Sequence, residues 1–379
     1  MSVYTNRGTR FIQTLLAVGL YKPCPIIYLL THRILKYNIM LYYFIVWLVS
    51  MIAVIAANTN DTQCPYINAT KTNSVSKTRI MQYNVEWLFL KTYNDCPGSG
   101  CTWKTLSDAT THLNYLANVI DDYNPDIINL CEVEGCYELG QLNALLGGVY
   151  QPYLLFGTDS ATGQNVGMLT KLAPSADLKR TSETRQYPIP GSKCSSSSTG
   201  STGVSKHYYT TYNINGKTIY MVGAHLLAFP TDTSRCASRE AQAAILQDLI
   251  HSLLSSDPVA ELILLGDFND FDAEVADANN DKPITAVLDI LKGVKGDWAG
   301  SYSLVSAASL VQQSQRYTSW WDPNDDCVAT SNEMSMIDHV LMTPGLVDHV
   351  AQVLFAHPYS EFCGTYNSDH YPVVVDFVW

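Results

Sequence analysis

Six short segments, each at the edge of an apolar run, carry side chains able to hold a hard cation and move protons. Gly266-Asp267-Phe268-Asn269-Asp270 follows Leu262-Ile263-Leu264-Leu265 directly, so a carboxylate and an amide share one side of the chain where a strand ends. In Pro125-Asp126-Ile127-Ile128-Asn129-Leu130-Cys131-Glu132 a carboxylate closes an apolar strand, where charge is costly unless it is paired or metal-bound. Asn84 ends a first strand, His225 closes Gly223-Ala224-His225, and Asp338 is embedded in Met336-Ile337-Asp338-His339-Val340-Leu341. Asn367-Ser368-Asp369-His370-Tyr371-Pro372 precedes the final strand. Singly, each reads as a turn, a strand-end cap or a hydrogen-bonded structural histidine. Together they place oxygen ligands and two imidazoles at strand ends, the set a cation-assisted in-line displacement needs.

The elements that must position these residues follow from periodicity. Arg79 to Val85 alternates as a strand, Leu106 to Tyr123 has helical spacing with Ser107 as cap, and Asp126 to Leu130 is a buried strand. Glu138 to Leu146 is helical, Val166 to Thr170 is a strand, and the amphipathic helix Ser238 to Leu254 leads into the strand Glu261 to Leu265. His207 to Ile214 and Lys217 to Ala224 flank Asn215-Gly216, a two-residue hairpin turn. Ser192 to Ser205 is Ser/Gly/Thr-rich and reads as a flexible surface loop.

The ordered set Asn84, Glu132, His225, Gly266-Asp267-Phe268-Asn269, Asp338 and Ser368-Asp369-His370-Tyr371-Pro372 resembles the endonuclease/exonuclease/phosphatase superfamily, typified by deoxyribonuclease I, over about residues 79 to 379. The resemblance implies an α/β (α+β) fold, a four-layer α/β/β/α sandwich of two mainly antiparallel sheets flanked by helices. It implies a Mg²⁺ ion, or Mn²⁺ or Ca²⁺ in its place, held chiefly by Glu132 with Asn84, Asp267 and Asp369 near it. Asp267 would orient or deprotonate the attacking water, Asn269 would hold the phosphate, Asp338 would orient His370, and His225 would donate a proton or hydrogen bond. In the family a further acid often orients the first histidine, and Asp159 is the candidate here. Asn165 and Arg239 are candidates for phosphate contact, although Arg239 also reads as a solvated residue in the first turns of its helix.

Of 379 residues 47% are hydrophobic and 15% charged, enough to build a core and too little charge for a disordered chain. A net charge of −12 repels polyanions at long range, so a phosphate substrate needs neutralisation by a cation. Residues 1–38 form an N-terminal extension, and residues 39–57 are free of charge and end in small residues, as a signal peptide or an uncleaved signal anchor does. Initiation at Met40 would make it an ordinary signal. Residues 58–78 read as a polar linker carrying the glycosylation sequons Asn60-Asp61-Thr62 and Asn68-Ala69-Thr70, ahead of the domain at 79–379. Export favours disulfides among the ten cysteines. Cys24 precedes the apolar run and Cys131 should face the core; the short loop Cys96 to Cys101 can close on itself, and Cys64, Cys136, Cys194, Cys236, Cys327 and Cys363 have partners that spacing leaves open.

These features favour a secreted or lumen-facing monomeric hydrolase of phosphodiesters, first of all a nuclease acting on DNA or RNA, touching membrane only through an uncleaved segment 39–57. The alternative within the same chemistry is a phosphomonoesterase or a phospholipase, sphingomyelinase- or inositol-phosphatase-like, with Leu226-Leu227-Ala228-Phe229-Pro230 available to touch lipid. A catalytically silent binding protein is the third class, disfavoured by the number of ionisable groups expected to converge.

Overall fold

The strand segments 127–133, 261–267 and 373–378 are apolar in near-continuous runs, the pattern of strands covered on both faces. A computed structural model describes residue 64 and residues 73–91, 101–194, 198–324, 326–359 and 365–379. In chain order its strands are β1 (Lys77–Leu88), β2 (Ile127–Val133), β3 (Gln151–Leu154), β4 (Asn165–Thr170), β5 (Thr184–Tyr187), β6 (Gly200–Gly203), β7 (Lys206–Ile214), β8 (Lys217–His225), β9 (Glu261–Asp267), β10 (Val305–Ser306), β11 (Ser319–Trp320), β12 (Met334–Ser335), β13 (Asp338–Met342), β14 (Val350–Phe355) and β15 (Val373–Val378). The helices are α1 (Leu106–Tyr123), α2 (Cys136–Leu145), α3 (Thr233–Ser256), α4 (Val287–Leu291) and α5 (Pro344–Val347).

Two large sheets result, ordered β14-β15-β1-β2-β4-β3 and β10-β13-β9-β8-β7. Their facing sides share one core that mixes Ile80, Ile127 and Met168 of the first with Tyr208, Met221, Ile263 and Val340 of the second. On the outer side of the first sheet, Leu113, Leu116 and Ile120 of α1 and Leu139 of α2 pack against Met81, Tyr83 and Leu130. Ile245 and Leu246 of α3 and Val287 of α4 likewise cover Val222, Leu262 and Leu264. This is the expected four-layer α/β/β/α sandwich.

Each sheet contains one parallel pair, β1 with β2 and β8 with β9, and every other pairing is antiparallel. A parallel pair needs a crossover, and α1 and α3 supply the two. The consequence for the site is direct: β1 and β2 end at the same edge, and so do β8 and β9. Because β13 runs antiparallel to β9 and β15 antiparallel to β1, the beginnings of β13 and β15 reach those edges too.

Several local readings shift. Thr105, not Ser107, caps α1, its hydroxyl accepting from the Asp108 N–H. The α3 helix starts at Thr233 with Asp232 as cap, five residues before Ser238, and α2 starts at Cys136. The segment read as a flexible loop, Ser192 to Ser205, carries β6, which pairs with β5, and is anchored by the disulfide Cys194–Cys236; backbone pairing and a crosslink override its composition. Asn215 and Gly216 both take the positive φ that a type I′ turn requires. Near the N-terminal end of the described residues, Cys64 is bonded to Cys136 and Asn73 bridges to Ile214. Cys101 is disulfide-bonded and Cys131 is free and buried, facing the core as expected, whereas Cys327, for which a disulfide partner was expected, is free and exposed. The extension 1–38, the apolar run 39–57, both sequons, Cys96 and Cys363 lie outside the described residues. No helix among the described residues is long and apolar enough to cross a membrane.

Candidate active site

The registers of the second sheet assemble a straight row of side chains. Asp338 of β13 stands opposite Asp267 of β9, Asp267 opposite His225 of β8, and His225 opposite Lys206 of β7. Residues directly opposite one another project to the same face, so four adjacent strands present acid, acid, imidazole and ammonium in sequence. Gly266 is what lets β9 take this place, since a Cβ there would meet the Ala224 carbonyl oxygen at 1.8 Å.

The first sheet contributes the facing groups through irregularities in its ladder. The β1–β2 register shifts between Asn84 and Leu88, the β2–β4 register shifts across Glu132, and Glu86, Trp87 and Glu132 all have positive φ. Such bulges re-aim side chains that regular strands would bury in the pleat. Asn84 Nδ2 donates to Asp267 Oδ2 at 2.9 Å and to Glu132 Oε1 at 3.3 Å, while the Trp87 N–H donates to Glu132 Oε2. The loop before β15 is tied in by Ser368, whose hydroxyl donates to the Asn84 carbonyl and accepts from the His370 N–H.

Asp267 is the hub. Its Oδ2 lies 3.7 Å from His225 Nε2 and 3.9 Å from His370 Nε2. His370 Nδ1 is 2.6 Å from Asp338 Oδ2, and its Nε2 is 3.8 Å from Asp369 Oδ1. Asn269, in the left-handed region that Asn tolerates, returns its N–H to Asp267 Oδ1 and its side-chain amide to the Leu226 carbonyl. Asn84, Glu132, His225, Asp267, Asn269, Asp338, Asp369 and His370 thus meet at one edge between the sheets.

The other three expected residues do not join them. Asp159 caps its own turn, accepting from Ala161 N, Thr162 N and Thr162 Oγ1, and faces Lys206 rather than His225. His225 Nδ1 has no hydrogen-bond partner among the described residues. Asn165 spends its amide on the Gly157 N–H and on the carbonyls of Glu134 and Gly163. Arg239 is not solvated: fully buried, it pairs with Asp270 at 3.2 Å and donates to the carbonyls of Leu227, Phe229 and Pro230, holding the loop after His225.

Three supporting residues were not singled out from sequence. Gln82 Nε2 donates to Asp338 Oδ1 at 3.0 Å and its oxygen accepts from Asn129, placing a buried amide relay behind the Asp338–His370 pair. Thr318 Oγ1 accepts from the Asp338 N–H. Glu86 accepts from the Asp369 N–H and from Thr102. The available signal was a polar residue inside an apolar strand, as at Gln82 in β1 and Asn129 in β2.

Burial raises the pKa of Asp267 to about 7 and that of Asp369 to about 6; the charge of Asp338 adds to both, Glu132 adds to that of Asp369, and His370 opposes. Burial, then the charge of Asp369, lifts Glu86 well above the carboxylate range. The two histidines move in opposite directions. Burial and the neighbouring charges of Lys206 and His370 push His225 well below its ordinary value, whereas for His370 burial is overcome by Asp338, Asp369 and Asp267. Crowded, mutually repelling buried carboxylates are the donor set that a hard divalent cation fits. Asp267, Asp338 and His370 also bring ligand atoms within 4.8 Å of one another. The 2.6 Å hydrogen bond commits Asp338 to His370, which leaves Asp267, Glu132, Asp369 and Asn84 as the freer oxygen donors.

Comparison with known proteins agrees with this geometry in one respect that counts. No curated protein sequence matches the chain significantly. Similar solved structures include truncated TDP2 from Caenorhabditis elegans, 15% identical over 80% of this chain and 98% of that one at a TM-score of 0.48. The 3′ phosphatase NExo from Neisseria bound to a product DNA hairpin is 15% identical over 80% of this chain and 100% of that one, at 0.49. The human nocturnin catalytic domain with a bound sulfate is 17% identical over 83% and 97%, at 0.46. The family model described as "Endonuclease/Exonuclease/phosphatase family" matches residues 81–370, a span that contains every residue meeting at the sheet edge. The chain therefore belongs to the endonuclease/exonuclease/phosphatase family, whose enzymes are divalent-metal-dependent hydrolases of phosphate esters.

Proposed function

We propose that this chain is an exported, Mg²⁺-dependent phosphodiesterase, a nuclease in the first instance. The observation that carries the reading is the convergence on Asp267 of Asn84, His225 and His370, with Glu132 and Asp369 beside them. Asp267, Glu132, Asp369 and Asn84 would hold the cation, which when bound neutralises charge on the phosphoryl oxygens. Asp267 takes a proton from the attacking water at Oδ2. His370, held at Nδ1 by Asp338, presents Nε2 as a cationic hydrogen-bond donor to the phosphoryl group, so its stabilisation grows with the charge that develops there. Neutral His225 presents its ring to the same phosphate, and Asn269 fixes the loop that positions Asp267.

Export is supported by the charge-free run at 39–57 and by the disulfides Cys64–Cys136 and Cys194–Cys236. A phospholipase reading is favoured by one observation, the exposure of Phe229 at the tip of the loop after His225. Supplying the purified chain with DNA, RNA, sphingomyelin and inositol phosphates side by side in Mg²⁺ separates these readings. We expect turnover of a nucleic acid to exceed the others; a preference for sphingomyelin would transfer the assignment to the lipid.

A further inference from the structure

Lys206 is the fourth member of the row that contains Asp338, Asp267 and His225, and the mechanism above gives it no task. It stands directly opposite His225, so their side chains share a face with Cβ atoms about 5 Å apart. Its ammonium lies 3.4 Å from Asp159 Oδ2 and 3.4 Å from Gln164 Oε1. Charge-assisted N–H···O bonds are normally about 2.7–2.9 Å long. A lysine placed to stabilise this fold looks different: Lys292 is 2.8 Å from Asp272 and 2.8 Å from Glu274. Lys206 therefore holds three donors in loose contacts while largely buried, an arrangement that favours an anion arriving from outside. Access is comparable to that of the histidine on the other side of the site, since the Lys206 side chain is 9% exposed and that of His370 8%. Asp159, held by its own turn and 3.4 Å from Lys206, is a counter-charge that weakens the hold on such an anion.

We propose that Lys206 forms a subsite for a second anionic group of the substrate, one strand beyond His225, so that the preferred substrate carries another phosphate beside the one hydrolysed. This deepens the phosphoesterase reading and rests on it. The two separate in one experiment on the full chain with Mg²⁺, using thymidine 5′-(p-nitrophenyl phosphate) with and without a 3′-phosphate. Turnover of the simple ester by the wild type tests the underlying reading by itself, and its absence would reject that reading and the subsite with it. The ratio of kcat/KM between the two esters tests the subsite. We expect the wild type to favour the 3′-phosphorylated ester by about tenfold or more, mainly through KM, the effect of one charge-assisted contact. Lys206→Met should bring the ratio to about one, and Lys206→Arg should restore part of it. Asp159→Asn keeps an oxygen for the turn N–H groups yet removes the counter-charge, so the ratio should rise above the wild-type value. A wild-type ratio near one, a ratio unchanged in Lys206→Met, or a ratio that falls in Asp159→Asn would each overturn the proposal and leave Lys206 as a structural ion pair.

Discussion

Asp338 grips His370 through a 2.6 Å contact between Oδ2 and Nδ1; the same carboxylate accepts from Gln82 at Oδ1, and the backbone N–H of Asp338 donates to Thr318 Oγ1. The ring is fixed in orientation, with Nε2 turned toward Asp267 and Asp369. Across Asp267, His225 has no such partner for its Nδ1 among the described residues. The two histidines are thus prepared differently, one charged and rigidly held, the other neutral.

Asp338→Asn should leave the fold in place while weakening the hold on the imidazolium. Because the interaction matters most where charge develops, kcat should fall by a factor on the order of a hundred with KM changed little. Steady-state kinetics on a phosphodiester checks this, and a purely KM effect would speak against the role given to the pair.

Glu132→Gln removes a charge from the carboxylate cluster and keeps the shape that accepts the Trp87 N–H. The Mg²⁺ concentration for half-maximal activity should rise by about tenfold or more with the circular dichroism spectrum unchanged. A Mg²⁺ titration that overlays the wild type would remove Glu132 from the set.

Arg239→Met strands Asp270 as an uncompensated buried carboxylate and frees the carbonyls of the loop 227–230. Breaking a buried pair in this way costs about 3–5 kcal/mol, read as a lower denaturation midpoint in urea. A loss below about 1 kcal/mol would show that the guanidinium is dispensable to the fold.

His207 donates from Nδ1 to the Val204 carbonyl and accepts at Nε2 from the Thr181 N–H, so a proton on Nε2 would break the second bond. Burial, aided by Arg180, lowers its pKa to about 4. The folded state therefore resists protonation that the unfolded chain accepts: the stabilisation is full above the unfolded value near 6.5, declines as pH falls, and is lost below about 4. It amounts to about 3 kcal/mol. Midpoints of thermal unfolding measured from pH 7 to pH 4 should drop more in the wild type than in His207→Gln, and parallel curves would contradict this.

What the amino-acid order made legible was the chemistry at strand ends. Glu132 stood out because a carboxylate closes an apolar run, and Asp267 because Gly266-Asp267-Phe268-Asn269 follows one directly. Lys206 was legible too, since counting back from the Asn215-Gly216 turn pairs it with His225, but the strand was read from His207 and stopped one residue short. Asp159 and Asn165 could not be placed, because their roles depend on how the loop 157–165 closes on itself and on Glu134. Arg239 misled because a helix face covered by an incoming loop looks, in sequence, the same as one covered by water.

The most direct measurement is hydrolysis of a phosphodiester by the purified chain during removal of divalent metal with EDTA and its return with Mg²⁺, alongside His370→Ala. The account predicts activity that disappears with the metal and recovers with Mg²⁺ in the wild type, and a variant at least about a hundredfold slower that binds Mg²⁺ unchanged. Turnover that persists with the metal demonstrably gone, or a His370→Ala enzyme as fast as the wild type, would contradict it.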